Sequence, residues 1–374
     1  MRNRSGSTPS LTPSVDSSQL RATAAGTTKF SERFATRFAA DYFRATTFGP
    51  TVSSIGIGTY LGESTADDDA SYEAAVAHAI ESGVNVIDTA INYRCQRSER
   101  AVGAAIQHVL AVGPVARHEL LVCSKGGYIP LNGAPPATRE EYQKYVQREF
   151  IDPEILRPED IVAGGHSLAP RFLRYCLAKT RQNLGLRTID VYYVHNPEQQ
   201  LGSIAPEEVR ARLRAAFMVL EDAATRGEIG VYGVATWEGL RLPPDAKCHL
   251  GLESMVGLAR EVGGNDHHFR AVQLPLNLGI SEGARVATQP LGTRQVTVLE
   301  AATELGMSVF GSATLLQAKL TSGLPAAIGA AFPGSRTDAQ RAISFARSLP
   351  GITSALVGMK RIDHVDENLA SASS

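Results

Sequence analysis

What most constrains this chain is a rhythm of eight. From about residue 50 a short apolar run of β character is followed by a segment of helical period, and the pair repeats almost to the last residue. The runs are SIGIGT (54–59), VNVID (84–88), ELLVCS (119–124), IDVYYV (189–194), GVYGVA (230–235), RAVQLP (270–275), MSVFGS (307–312) and SALVG (354–358). The spacing predicts helices at 69–82, 98–111, 170–184, 206–226, 253–262, 294–305, 338–348 and 362–370. Ser98, Ser167 and Asp363 stand where N-caps are expected, and Gly83, Gly185, Gly227 and Gly306 sit just past helical patterns. Continuous rather than alternating apolar runs belong to strands covered on both faces, which means parallel βαβ units. These close either as an open doubly wound sheet or as a barrel. The open dinucleotide-binding sheet calls for GxGxxG after its first strand. GIGTYLG (56–62) lacks the third glycine at that offset and does not open a helix. Eight repeats over roughly 320 residues fit an (α/β)8 barrel of the TIM type, expected over 46–374.

Three strand-to-helix connections are long, at 126–169, 236–252 and 276–293, after strands 3, 5 and 6. Loops of that length in a compact domain usually carry function. In a βα barrel all three open on one rim, the rim on which active sites are built. The segment before the barrel, residues 1–45, is expected to be a disordered tail. Residues 1–30 hold eleven Ser/Thr, three Arg, one Lys and a single acid, Asp16. That composition also fits an organelle transit peptide. With no apolar h-region for secretion, the cytoplasm is the expected location, or an organelle if the segment targets one. Lys+Arg number 37 against 38 Asp+Glu, which gives no reason to expect a nucleic-acid partner. No apolar stretch approaches the ~18 residues of a membrane span, so no membrane partner is expected either. The four cysteines are scattered without a CxxC pair.

Barrel chemistry comes from strand C-terminal ends, and those positions hold Asp88, Lys125 and His195, with Tyr93 in the loop after Asp88. Each has a plain reading of its own: a turn cap, a loop cation, a strand-end histidine, a packing aromatic. Their combination is a device. A phenol of pKa near 10 gives up its proton poorly unless its anion is stabilised, and a nearby ammonium does that. The ammonium in turn needs a carboxylate to survive burial. A histidine beside the phenol orients a carbonyl oxygen. Such a set protonates a carbonyl oxygen while hydride arrives from elsewhere, and since no side chain supplies hydride, a nicotinamide cofactor is implied. Lys125 also fits a Schiff-base aldolase. That reading leaves Gln273 and the 356–369 block without a role. His267-His268 beside Asp266 lack a third ligand at helix or strand spacing, so no metal is expected.

The blocks SSIGIGTYLG (53–62), GVNVIDTAINY…RSE (83–99), LLVCSKGG (120–127), IDVYYVHNP (189–197), GEIGVYGVATW (227–237), VQLPLN (272–277) and LVGMKRIDHVDENL (356–369) resemble the aldo-keto reductase superfamily. The likeness runs from about Thr51 to Leu369. It implies an (α/β)8 barrel that reduces a small aldehyde or ketone with NADP(H), the preferred cofactor, or NAD(H). It makes Tyr93 the general acid, Lys125 and Asp88 its tuning pair and His195 the substrate-orienting residue. Cofactor contacts are implied at Gly58, Thr59, Tyr60, Thr236, Gln273, Ser312, Gly358, Lys360, Arg361, His364 and Asn368. The pattern departs at Ala235-Thr236, where the family has Ser-Asn. It departs again at Ser312, where an aromatic commonly stacks on the nicotinamide and Phe310 is expected to face the same side. Lys360 and Arg361 fall within the stretch that usually reads the 2′-phosphate. Trp237 and Tyr128 are placed at the substrate pocket, and Tyr128, Tyr142, Tyr145 and Phe150 are expected either to wall it or to pack on their own loop. These departures leave one other function open, a nicotinamide-binding regulatory or sensor protein with little turnover.

Overall fold

The computed structural model describes residues 20–373. Eight parallel strands close into a barrel: β1 (Ile55–Gly58), β2 (Val86–Asp88), β3 (Leu121–Gly126), β4 (Ile189–His195), β5 (Ile229–Ala235), β6 (Phe269–Pro275), β7 (Ser308–Ser312) and β8 (Ile352–Gly358). Each pairs with its chain neighbours, and β8 returns to β1 with Gly358 opposite Gly58. The outer ring is α1 (Ala66–Glu81), α2 (Arg97–Val112), α3 (Pro170–Leu184), α4 (Pro206–Thr225), α5 (Leu252–Gly263), α6 (Val298–Glu304), α7 (Asp338–Ser348) and α8 (Ile362–Leu369).

Alternate residues of each strand build two cores. Tyr192 and Val194 of β4 pack outward under the helices, while Val191 and Tyr193 join Leu121, Cys123, Ala271, Phe310 and Leu356 inside the barrel. Both faces of each strand are thus covered, which is why the runs read as continuously apolar. Punctuation sets the helix ends. Pro170 opens α3, and Gly185 closes it at φ 64°, a conformation that glycine adopts without penalty. At a register shift between β5 and β6, Gly233 lies so close to the Ala271 carbonyl that a Cβ would fall 1.8 Å from its oxygen; only glycine fits.

Several expectations are corrected. The tail predicted over 1–45 is ordered wherever it is described; residues 1–19, and with them much of the transit-peptide reading, lie outside the described residues. Residues Ala24–Arg33 form a helix capped by Thr23, with Phe30 fully buried, and Phe43–Ala45 pairs antiparallel with Thr51–Ser53. The low hydrophobicity of 1–30 hides this, because a few apolar side chains and backbone bonds to the barrel floor suffice to order the later part. The helix expected at 294–305 begins only at Val298 behind the cap Thr297; Arg294–Val296 instead pairs with Gln289–Leu291 in a hairpin. Ser98 is no cap but the second residue of α2, its hydroxyl bonding the Thr59 carbonyl at 2.8 Å. Ser167 accepts from Ala169 N ahead of α3, and Asp363 lies inside the first turn of α8. A fourth long connection, 313–337 after β7, fills the gap that the run at 307–312 and the helix at 338–348 leave open, and joins the three expected ones on the rim. Among the described residues no helix is long and apolar enough to cross a membrane.

Candidate active site

The βα loops surround a cavity of about 650 Å³ at the C-terminal mouth of the barrel. Register decides what reaches its floor. Gly58 pairs with Asp88, which ends β2; Lys125 is the last residue but one of β3 and His195 ends β4, so that the three lie at the C-terminal ends of neighbouring strands. Lys125 is fully buried. Its Nζ donates to Asp88 Oδ2 at 2.7 Å and to the Thr89 carbonyl at 2.9 Å. Gln273 Nε2, from β6, donates to the second carboxylate oxygen at 2.8 Å. Both Asp88 oxygens are therefore engaged, which is the condition for keeping a buried ion pair. Burial works to discharge Lys125, but Asp88 and Tyr93 outweigh it and hold its pKa above the ordinary lysine value. An ammonium so stabilised is no Schiff-base nucleophile, which sets the aldolase reading aside.

Tyr93 lies over this pair, with Lys125 Nζ 4.9 Å from its ring centroid. Burial raises the phenol pKa, Lys125 pulls against that rise, and the phenol stays protonated. The sequence reading assigned the lowering to Lys125 and missed the larger opposing effect. Tyr60 and His195 pack edge-on to the Tyr93 ring, at 5.0 and 6.0 Å between centroids. His195 is held well below the ordinary imidazole pKa by burial, with Lys125 and His166 adding to the effect, so the ring is neutral. Its Nδ1 is buried without a partner.

Two residues that sequence reasoning missed hold these groups in place. His166, from the third loop, donates Nε2–H to the His195 carbonyl at 2.7 Å and accepts from Gln200 at Nδ1 at 2.8 Å. Burial pushes its pKa down to about 4. Arg94 follows Tyr93 in a left-handed conformation, and so do Cys95 and Gln96, with φ of 48°, 55° and 68°. Three such non-glycine residues in succession are strained. Arg94 offsets this by bonding the carbonyls of Glu63 and Thr65 and Asp69 Oδ1, its side chain 1% exposed. The backbone angles leave no mark in the sequence, and His166 lies too far along the chain for any spacing rule.

The residues placed at the cofactor and substrate divide into two groups. Gly58, Thr59, Tyr60, Thr236, Gln273, Ser312, Gly358, His364 and Asn368 all line the cavity, as do Trp237 and Tyr128. Lys360 and Arg361 do not; they lie beyond it, paired with Asp68 and Asp363. Phe310 shares a face with Ser312 but sits one layer deeper, fully buried against Tyr193. Of the third-loop aromatics only Tyr128 reaches the cavity, its Oη accepting from Asn196 Nδ2 at 3.0 Å. Tyr142, Tyr145 and Phe150 pack with Phe172 and Tyr175 of α3. The 313–337 loop supplies Ala313, Thr314, Leu315, Gln317, Ala318 and Thr321 to the wall, none of them foreseen. Glu198 fixes the loop after β5, its Oε1 accepting from the backbone N–H groups of Trp237, Glu238 and Gly239. Among the described residues no cluster of His, Cys, Asp or Glu is arranged to hold a metal.

An eight-stranded βα barrel with its cavity at the strand C-terminal ends defines a broad class of small-molecule sites. Within that class the model of the aldo/keto reductase family matches residues 54–252, more than half of the chain, and the chain belongs to this family. A D-threo-aldose 1-dehydrogenase from a Pseudomonas species is 26% identical over 193 residues, 50% of this chain and 51% of its own. The chain thus spans about half the length of that curated relative. An aldo/keto reductase from Klebsiella pneumoniae, solved in complex with NADP and acetate, is similar with a TM-score of 0.59 at 20% identity, over 88% of this chain and 89% of that one. An aldo-keto reductase from Bacillus halodurans in its holo form gives 0.57 at 15% identity, over 88% and 90%. At these identities the two structures speak for the fold.

Proposed function

We propose that this protein is an oxidoreductase that reduces an aldehyde or ketone to an alcohol with NADP(H), and accepts NAD(H). The observation that carries the reading is the buried Asp88–Lys125 pair under Tyr93, beside neutral His195, at the floor of a cavity. The cavity suits the cofactor: its volume is that of a small-molecule site, and Thr236 Oγ1 is buried without a partner on the side where the family binds the nicotinamide amide. Thr236, Ser312 and the glycines 58 and 358 would hold it, and when bound it supplies hydride to the carbonyl carbon. The chain's own residues do the rest. Neutral His195 donates a hydrogen bond to the carbonyl oxygen and fixes it beside the phenol. Tyr93 Oη gives its proton to that oxygen as negative charge develops. Lys125 stabilises the phenolate left behind, and Asp88, braced by Gln273, keeps Lys125 charged. The preference for NADP(H) draws on Lys360 and Arg361 at the start of α8 and on the NADP named in the Klebsiella structure. The Pseudomonas relative is named for D-threo-aldoses, so sugar aldehydes and their lactol forms head the substrate panel.

Titration with NADPH and NADH followed by Trp237 fluorescence should show binding, since this tryptophan lines the cavity. Tyr93→Phe should retain that binding and lose ~10²–10⁴-fold in kcat. Full reductase activity in Tyr93→Phe would overturn the mechanism. Tight binding without turnover across the panel would favour the sensor reading.

A further inference from the structure

Every basic residue at the α8 end of the cleft is already paired with an acid or faces one. Lys360 Nζ donates to Asp68 Oδ1 at 2.8 Å, reaching from the turn after β8 to the first turn of α1. Arg361 bonds Asp363 through two nitrogens, at 2.9 and 2.6 Å. His364 and Glu367 line the same stretch of cavity together. Asp68 is the carboxylate that differs. It belongs to a distant element, its side chain is only 13% exposed, and its other oxygen accepts the Glu63 N–H at 2.6 Å. The backbone therefore holds it in place whether or not Lys360 stays. A phosphate monoester at this end of the cleft draws on Lys360, which stands just ahead of the α8 N-cap Arg361 and which a short swing can redirect. Drawing Lys360 away leaves Asp68 with only Arg94 as a cationic neighbour and sets it beside a dianion, in a partly desolvated position where like charges repel.

We infer that Asp68 is a specificity-determining residue that competes with the 2′-phosphate of NADP(H) for Lys360. It thereby narrows the preference for the phosphorylated cofactor while leaving the affinity for NAD(H) alone. This rests on the reading above, in which a nicotinamide dinucleotide lies in the cleft with its adenosine end toward α8. A hydroxyl in place of the 2′-phosphate makes no demand on Lys360, so the ion pair can persist under NAD(H). The first and last βα loops then stay tied together in the NAD(H) complex and untied in the NADP(H) complex.

The test is Asp68→Asn, whose side-chain oxygen can still accept from Glu63 N. Dissociation constants for NADPH and NADH are measured by Trp237 fluorescence, beside the wild type and Lys360→Met. Asp68→Asn is expected to tighten NADPH about tenfold and to leave NADH within about twofold, by the removal of one like charge. In the double variant Asp68→Asn/Lys360→Met the gain should vanish, because there is no freed cation to collect. Asp68→Ala, with thermal unfolding as a folding check, serves as the second variant and should move NADPH in the same direction. Equal shifts for both cofactors, or none for either while both still bind, would overturn the inference and leave the proposed function standing. Absence of binding by either cofactor to the wild type would overturn that function and the inference with it.

Discussion

The two ends of the cleft handle charge in opposite ways. At the strand-end floor, Lys125 and Asp88 are buried, each polar atom has a partner, and the partners come from β2, β3 and β6 and from the backbone at Thr89. At the α8 end the cations Lys360 and Arg361 reach solvent, the first paired with the largely buried, backbone-held Asp68 and the second with the exposed Asp363. A buried pair is all or nothing, since removing one member strands the other in low dielectric. A solvent-facing cation is screened, loosely held and easily redirected to a ligand. On the proposed function, the chemistry is anchored where rearrangement is expensive, and cofactor choice falls where it is cheap to adjust.

That contrast is open to direct attack. The largest effect should come from Lys125→Met, which leaves Asp88 buried with only Gln273; a stability loss of about 3–5 kcal/mol is expected in denaturant unfolding. A loss below about 1 kcal/mol would mean the pair is not the anchor described. Next comes Arg94→Met, which removes the clamp from the strained turn after Tyr93. About 2 kcal/mol should be lost, as for other buried hydrogen-bonded charges, with kcat falling more than KM rises. If kcat and stability both stayed put, the left-handed turn would need no clamp.

Of a size comparable to the Arg94 effect is a pH dependence beneath His195. His166 has a folded pKa of about 4 against 6.5 for a free imidazole. Between those values the unfolded chain binds more protons than the folded one, so stability falls as pH drops from 6.5 toward 4. This one group should account for up to about 3 kcal/mol of the decline. His166→Asn should flatten the acid limb of the stability curve by that amount. An unchanged limb would show that His166 titrates normally. The smallest effect should come from Arg361→Ala at the opposite end, whose pair with Asp363 is fully exposed: no measurable change in thermal midpoint is expected, and a drop of several degrees would contradict the comparison.

The same contrast explains what could be read from the sequence. The barrel was legible because doubly covered strands leave continuous apolar runs, and α3 and α7 fall at the predicted residues because Pro170 with Gly185, and Thr337, mark their ends. Asp88, Lys125 and His195 were legible because strand ends are countable positions. Phe310 shares the face of Ser312 as expected, but period two gives the face of a strand and not the depth; two residues of rise put it ~7 Å below Ser312. The length of the 313–337 connection follows from the elements on either side of it, but its role as a wall does not, because small residues such as Ala313 and Ala318 form that wall by left-handed backbone turns rather than by side-chain type. Gln273 was taken for a cofactor contact, and the structure gives it a second employment on Asp88 that no motif spells out.

The ordered stretch before the barrel has a practical bearing on how this protein should be handled. Ala22 N donates to buried Asp190 Oδ1, Thr23 N to the His118 carbonyl, and Thr51 N to the Thr27 hydroxyl, while Arg33 reaches Glu119. These residues form a plug under the end of the barrel away from the cavity. An expression clone trimmed to residue 46, where the repeat pattern suggests a natural start, would pull that plug and wet the undersides of β3 and β4. A clone that is to keep the plug should begin no later than residue 20.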